Sequence, residues 1–364
     1  MLKRLPIFLF VFFLTGCATV TGPGVSEQEI RQATEELQVK SLAYKFKQIQ
    51  KINAIGYHIV KAVPKEDIKM KPRSFIGLFA ITNNKIADRL YHLDSKKGAV
   101  VMFVLEGTPV ADAGLKEGDL VLEVDKKPAR SLSSDFEYHL KAGAKAILTI
   151  ERLGEKMEIP VTVGEIALGV AFTLVDDQSV NAATGPREIY VTYGLMNFAK
   201  SDDEIAAVLA HELGHFSRGH VNRMQGGNIL GAIAAIGLGI TAEVLAPGSG
   251  ELVMRGVGGI GDVFKAKFSR DLEREADYFG IKYMYLAGYD PEVAVGIHER
   301  FAIEIPASMT RDFFSTHPSS PERSVRLKKA IAELKAGIQK TPEEIKAGLP
   351  AGASAGSPAV NSFK

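Results

Sequence analysis

AAVLAHELGHFSRGH, residues 206–220, holds three of the chain's eight histidines. An α-helix turns about 100° per residue, so His211 and His215 stand about 40° and one turn apart. Two imidazoles at that spacing can reach a single ion. Glu212 lies about 100° round from His211, close enough to touch a water beside such an ion and badly placed to ligate it. Ile205, Val208 and Leu209 precede the pair as an apolar side, which puts the histidines at the edge of a core. Ser201 is the expected N-cap, with Asp202, Asp203 and Glu204 favourable in the first turn. His220 lies about 180° round the same helix from His211 and is expected to face elsewhere.

The pattern is HExxH, a zinc-peptidase signature, since Zn²⁺ takes nitrogen ligands at ~2.0–2.1 Å and i, i+4 histidines supply them. One Zn²⁺ per chain is expected. A catalytic zinc keeps three protein ligands and one open position. The only cysteine is Cys17, which has another use, so the third ligand must be histidine, aspartate or glutamate. SRDLEREADYFG, residues 269–280, carries Glu273 and Asp277 at i, i+4 on one face. Glu273 can ligate, and Asp277 can accept the N–H of a ligand histidine and fix its tautomer. The same spacing also suits a solvated helix with Glu–Arg pairs.

HExxH followed about sixty residues later by ExxxD, with EAD at its end, resembles the M48 family of zinc metallopeptidases. That family includes the CAAX prenyl proteases, HtpX-type membrane proteases and periplasmic BepA-type proteases. The likeness runs from about Phe172 to Arg326. It takes in Asn181-Ala182, Ile189 to Met196, Ser315-Thr316-His317-Pro318 and Arg323. The resemblance implies zinc on His211, His215 and Glu273, with Glu212 as the base and Asp277 behind a ligand histidine. It implies His317 and Arg323 over the metal, steadying the transition state. In some relatives the histidine at the position of His317 fills the open metal position and holds the enzyme off.

The chain begins MLKRLPIFLFVFFLTGC. A short positive start and an apolar run too short to span a bilayer at ~20 residues read as a secretory signal peptide. Leu14-Thr15-Gly16-Cys17 resembles a bacterial lipobox, in which the cysteine is lipidated and becomes the mature N-terminus. Ala18 after it favours the outer membrane under lipoprotein sorting rules. The expected location is the bacterial envelope, lipid-anchored and facing the periplasm.

Residues 98–163 differ in character, with short β-branched runs cut by turns. Gly107-Thr108-Pro109-Val110, Ala113-Gly114-Leu115, Gly118-Asp119-Leu120-Val121 and a closing hairpin at Gly154-Glu155 resemble a PDZ domain. Such domains add an extended peptide to a sheet edge and hold its terminal carboxylate on free N–H groups. That loop is expected at Lys97-Gly98-Ala99-Val100.

The expected fold is α+β: a mainly helical zincin-type metallopeptidase domain with a small sheet, plus an inserted PDZ-like β-rich domain. The expected organisation is a signal peptide at 1–16, a lipid-anchored linker at 17–25 and a helical N-terminal part of the peptidase at 26–97. The PDZ-like domain follows at 98–163, the peptidase domain at 164–340 and a disordered tail at 341–364. Within 26–97, the Ser26/Glu29 capping box opens a long helix, with Ile30, Leu37, Leu42, Phe46, Ile49, Ile52 and Ile59 as its apolar face. FIGLFAI, residues 75–81, reads as a strand. Residues 226–264, rich in glycine and alanine, read as a loop or helical hairpin over the site or against lipid. With 44 basic and 43 acidic residues, nothing points to nucleic acid.

The expected function is zinc-dependent endopeptidase activity on envelope proteins, in protein quality control. Expected partners are protein or peptide substrates, the membrane through the lipid anchor, and other envelope proteins through the PDZ-like domain. The competing reading is a chaperone or adaptor lipoprotein whose zinc site is latent or only structural.

Overall fold

The structure is a computed structural model that describes residues 23–131, 136–185, 187–221, 268–305, 317, 321–338, 340 and 345. Expectations for the signal peptide, Cys17 and residues 226–264 lie outside the described residues. Helix α1 spans Glu27–Ala62. The Ser26 hydroxyl accepts from the Glu29 amide, and the Glu29 carboxylate accepts from the Ser26 amide at 2.7 Å. This reciprocal pair satisfies two donors that a bare helix start would leave unmade. The apolar face of α1 is packed only from Leu42 onward. Ile52 and Ile59 are fully buried, whereas Ile30 and Leu37 are exposed.

The expected strand at 75–81 is two strands. β1 (Arg73–Phe75) and β2 (Phe79–Thr82) are separated by Gly77, whose φ of +81° breaks the extended path. β2 is one edge of a six-stranded antiparallel sheet. It continues through β3 (Ala99–Phe103), β4 (Leu120–Val124), β6 (Lys145–Arg152) and β7 (Glu155–Thr162), with the short β5 (Lys127–Pro128) folded onto β4. The β6–β7 turn holds Leu153 and Gly154 at φ +52° and +85°, the positive pair that a two-residue hairpin needs. Helices α2 (Lys85–Tyr91) and α3 (Pro109–Asp112) complete the unit. Its core gathers Ile76, Val101, Val110, Val121, Leu148, Ile150 and Val161. Since β2 pairs with β3, this sheet begins before residue 98. On its other face Ile81, Ile86, Val100 and Leu120 meet Leu42 and Phe46 of α1.

The second unit has β8 (Gly164–Ile166) paired with β1, and a sheet of order β10-β11-β9. In it β9 (Ala171–Val175) runs parallel to β11 (Glu188–Thr192), and β10 (Ala182–Thr184) runs antiparallel as one edge. Helices α4 (Tyr193–Phe198), α5 (Asp202–Ser217), α6 (Arg270–Leu286), α7 (Glu292–Glu304) and α8 (Pro321–Lys335) follow. Ile52 and Ile59 of α1 share one core with Phe172, Ile189, Leu209, Tyr283, Phe301 and Leu327. Each such side chain contributes about 1.5–3 kcal/mol of hydrophobic stabilisation. Ile345, placed by the sequence in a disordered tail, is buried in this core. The architecture is therefore α+β, a mainly helical body with a small sheet plus a β-rich unit. Among the described residues no helix is long and apolar enough to cross a membrane.

Candidate metal centre

α5 carries the histidine pair, and Ser201 caps it by accepting from the Glu204 amide at 3.2 Å. α6 lies directly against it. A Cβ on Gly214 would stand 2.6 Å from the Ala276 carbonyl oxygen, and one on Gly280 would stand 2.9 Å from the His211 Cα. With a glycine from each helix at the crossing, the two backbones approach closely. That brings Glu273 and Asp277 of α6 beside the imidazoles of α5.

Ligand atoms of His211, His215, Glu273 and His317 all lie within 4.8 Å of one another, and all four residues are buried. His211 Nε2 is 3.2 Å from His215 Nε2. Glu273 Oε1 is 3.4 Å from His215 Nε2, and its Oε2 is 3.6 Å from His211 Nε2. His317 Nδ1 is 3.0 Å from Glu273 Oε1 and 3.2 Å from His211 Nε2.

The outer shell assigns the protons. His211 Nδ1 lies 3.0 Å from Asp277 Oδ1, so that nitrogen donates and Nε2 presents a lone pair inward. His215 Nδ1 lies 2.9 Å from His220 Nδ1, and His220 Nε2 lies 3.3 Å from Glu275 Oε2. A proton on His220 Nε2 leaves its Nδ1 to accept from His215 Nδ1, which turns the His215 Nε2 lone pair inward too. Two imidazole lone pairs at 3.2 Å repel unless a cation stands between them. The donor set therefore fits a divalent ion, and two nitrogens with a carboxylate fit zinc.

Electrostatics agree. Burial opposes charge on Glu273, but the His317 and His215 imidazoles outweigh it and hold its carboxyl well below the usual range. Burial likewise opposes ionisation of Asp277, yet the Arg323 guanidinium and His211 lower its pKa strongly. Burial depresses His215, which stays neutral and able to ligate. For His317 burial is outweighed by Glu273 and Glu212, and its pKa rises.

Glu212 is fully buried, with Oε2 accepting from Thr184 Oγ1 of β10 at 2.5 Å and Oε1 3.3 Å from His317 Nε2. Arg323 donates to Asp277 Oδ1 at 2.6 Å and to the His317 carbonyl at 3.1 Å. Every residue that the sequence proposed for this centre is thus gathered here. His220 faces away from the four ligand atoms, behind His215. Thr184 and the pair of Glu275 and Arg218, joined at 2.8 Å, were not anticipated. Only the fold brings them to the site.

The carboxylate loop expected at Gly98, Ala99 and Val100 requires correction. Ala99 and Val100 lie inside β3, with β2 on one side and β4 on the other. Their amides point into ladders on both sides. Gly98 is buried so tightly that a Cβ would reach 2.2 Å from the Val121 carbonyl oxygen.

The pattern of Peptidase family M48 matches residues 149–331, just over half of the chain. The chain belongs to peptidase family M48. A PDZ domain matches residues 76–163, which agrees with the sheet's inclusion of β2. Similar proteins include the "Mitochondrial metalloendopeptidase OMA1" of Arabidopsis thaliana, 35% identical over 159 residues, covering 43% of this chain and 30% of that one. "Metalloprotease YcaL" of Escherichia coli is 30% identical over 148 residues, covering 40% and 55%. The "Probable periplasmic serine endoprotease DegP-like" of Pseudomonas putida is 35% identical over 124 residues, covering 33% and 24%. The chain thus spans between about a quarter and just over half the length of these relatives.

Proposed function

We propose that the chain is a zinc endopeptidase acting on proteins of the bacterial envelope. The observation that carries this reading is the buried convergence of His211 Nε2, His215 Nε2 and a Glu273 oxygen, with the Glu212 carboxylate beside it. A zinc ion on those three residues would supply Lewis acidity, polarising a scissile carbonyl and acidifying a water. Glu212 is placed to take the water's proton on Oε1 while Thr184 fixes Oε2, then to pass it to the leaving amine. Asp277 holds His211 in its ligating tautomer, and His220 stands at 2.9 Å behind the Nδ1 of His215. Arg323 has two nitrogens committed to Asp277 and the His317 carbonyl, so its part is positioning. β10 is an edge strand beside Glu212, and an extended substrate added there would run past the base.

Envelope placement rests on the leader, the lipobox-like Cys17 and the periplasmic naming of the Pseudomonas putida relative. Anchoring through Cys17 to the outer membrane and delivery of substrates by the PDZ domain complete the proposal. A purified chain is expected to hold one zinc and to hydrolyse an unfolded protein such as casein. Glu212→Gln is expected to keep zinc and lose on the order of 10²–10⁴ in rate. Wild-type turnover by that variant would overturn the assignment.

One observation favours a second reading of the resting state. His317 Nδ1 lies among the three ligands and fits a fourth coordination position. In that reading the resting peptidase is latent, and His317 must withdraw before a substrate carbonyl can enter.

A further inference from the structure

Three backbone amides in the PDZ unit share one acceptor. Ile76 N and Gly77 N donate to Glu137 Oε2 at 3.2 and 3.3 Å, and Leu78 N donates to Glu137 Oε1 at 2.8 Å. Glu137 comes from a one-turn helix, Phe136–His139, about sixty residues away in sequence, and is 9% exposed. Consecutive N–H groups converge only where the chain turns through a left-handed residue. Gly77 supplies it at φ +81°, and a Cβ there would stand 2.7 Å from the Thr108 Cβ. The Ile76 carbonyl accepts from the Val110 amide at 3.0 Å, which fixes the loop from behind. β2, the edge strand of the sheet, starts directly after Leu78.

A concavity of three amides ahead of an open strand edge is chemically a receptor for a carboxylate that ends an extended chain. A buried carboxylate is costly without such donors. Here the protein's own side chain fills the receptor. We infer that Glu137 is an internal occupant of the PDZ carboxylate site, so that a peptide C-terminus binds only by displacing it. This inference rests on reading residues 76–163 as a peptide-binding module. The tether gives Glu137 an effective concentration on the order of millimolar, which a free peptide must outcompete. The three converging amides make the ligand class a peptide with a free α-carboxylate.

The test uses the full chain carrying Glu212→Gln to prevent cleavage. The probe is a fluorescein-labelled decapeptide ending in valine, as free acid and as C-terminal amide. Glu137→Ala is expected to bind the acid at least tenfold more tightly than the parent, with no gain for the amide. Glu137→Gln keeps the shape and one acceptor oxygen and is expected to fall between. Amide hydrogen exchange at Ile76, Gly77 and Leu78 is expected to be slow in the parent and faster in Glu137→Ala. Equal binding of the acid by parent and both variants would overturn the inference and leave the peptide-binding reading standing. Binding by none of them, with the unit still folded, would overturn both. If Glu137→Ala unfolds the unit, Glu137→Gln decides: an unchanged affinity for the acid overturns the inference.

Discussion

Gly280 of α6 lies against the backbone of His211, and a methyl group added to it would come within 2.9 Å of the His211 Cα. The metal centre depends on this contact, because His211 sits on one helix and Glu273 on the other. Gly280→Ala must push the helices apart or deform one of them. We expect a loss of about 1–3 kcal/mol in unfolding free energy, the usual cost of overpacking. Zinc affinity is expected to fall as well, measured by competition with a chromogenic chelator. A variant with unchanged stability and unchanged zinc affinity would show that the helices do not approach as described.

Asp277 joins the ligand set to its outer shell. It accepts from His211 Nδ1 and from Arg323 together. Asp277→Asn removes the charge, and its amide can present an N–H to a nitrogen that must itself donate. Zinc affinity is expected to fall about 10–100-fold, in line with other outer-shell partners of zinc histidines. Arg323→Lys keeps a charge but loses the planar fork, and a smaller loss is expected. Zinc stoichiometry under graded chelator distinguishes the two.

The centre was legible in sequence because helical geometry is local. His211, Glu212 and His215 are fixed by one helix, and Glu273 and Asp277 by another. Joining the two helices needed the family resemblance, although Gly214 and Gly280 mark the crossing once it is known. Thr184 and Glu275 could not be assigned roles, because no periodicity links a strand residue, or one helix, to another helix far along the chain. The PDZ unit is legible from its turns, while its sheet includes β2, ahead of residue 98. Gly77 splits what reads as one apolar run, Phe75–Ile81, and conceals the amide loop within it. Gly98, the next glycine, stands where β3 is already paired on both sides.

His317 separates the open and latent readings. Its Nδ1 faces Glu273 and its Nε2 faces Glu212. If it fills the fourth position at rest, His317→Ala should change the visible spectrum of the Co²⁺-substituted chain, as water replaces imidazole. Turnover of unfolded casein is then expected to rise at low substrate concentration. A spectrum identical to that of the parent, with turnover lowered, would assign His317 to assisting the reaction and not to closing the site.

Glu137 carries a pH signature in the stability of the PDZ unit. Burial raises its pKa above the ordinary 4.5, and the amides of Leu78, Ile76 and Gly77 pull against that rise without cancelling it. The folded chain therefore keeps this proton to a higher pH than the unfolded chain does. Stability linked to the group is fully present below the unfolded value and is lost as pH climbs through the folded one. Urea unfolding of the parent, followed by exchange of the β3 and β6 amides, is expected to show stability falling from about pH 4.5 towards neutrality. Glu137→Gln has no proton to lose, and its curve should be flatter over that window. Parallel curves for the two proteins would mean that the Glu137 carboxyl titrates alike in the folded and unfolded chains, contrary to its burial against the loop.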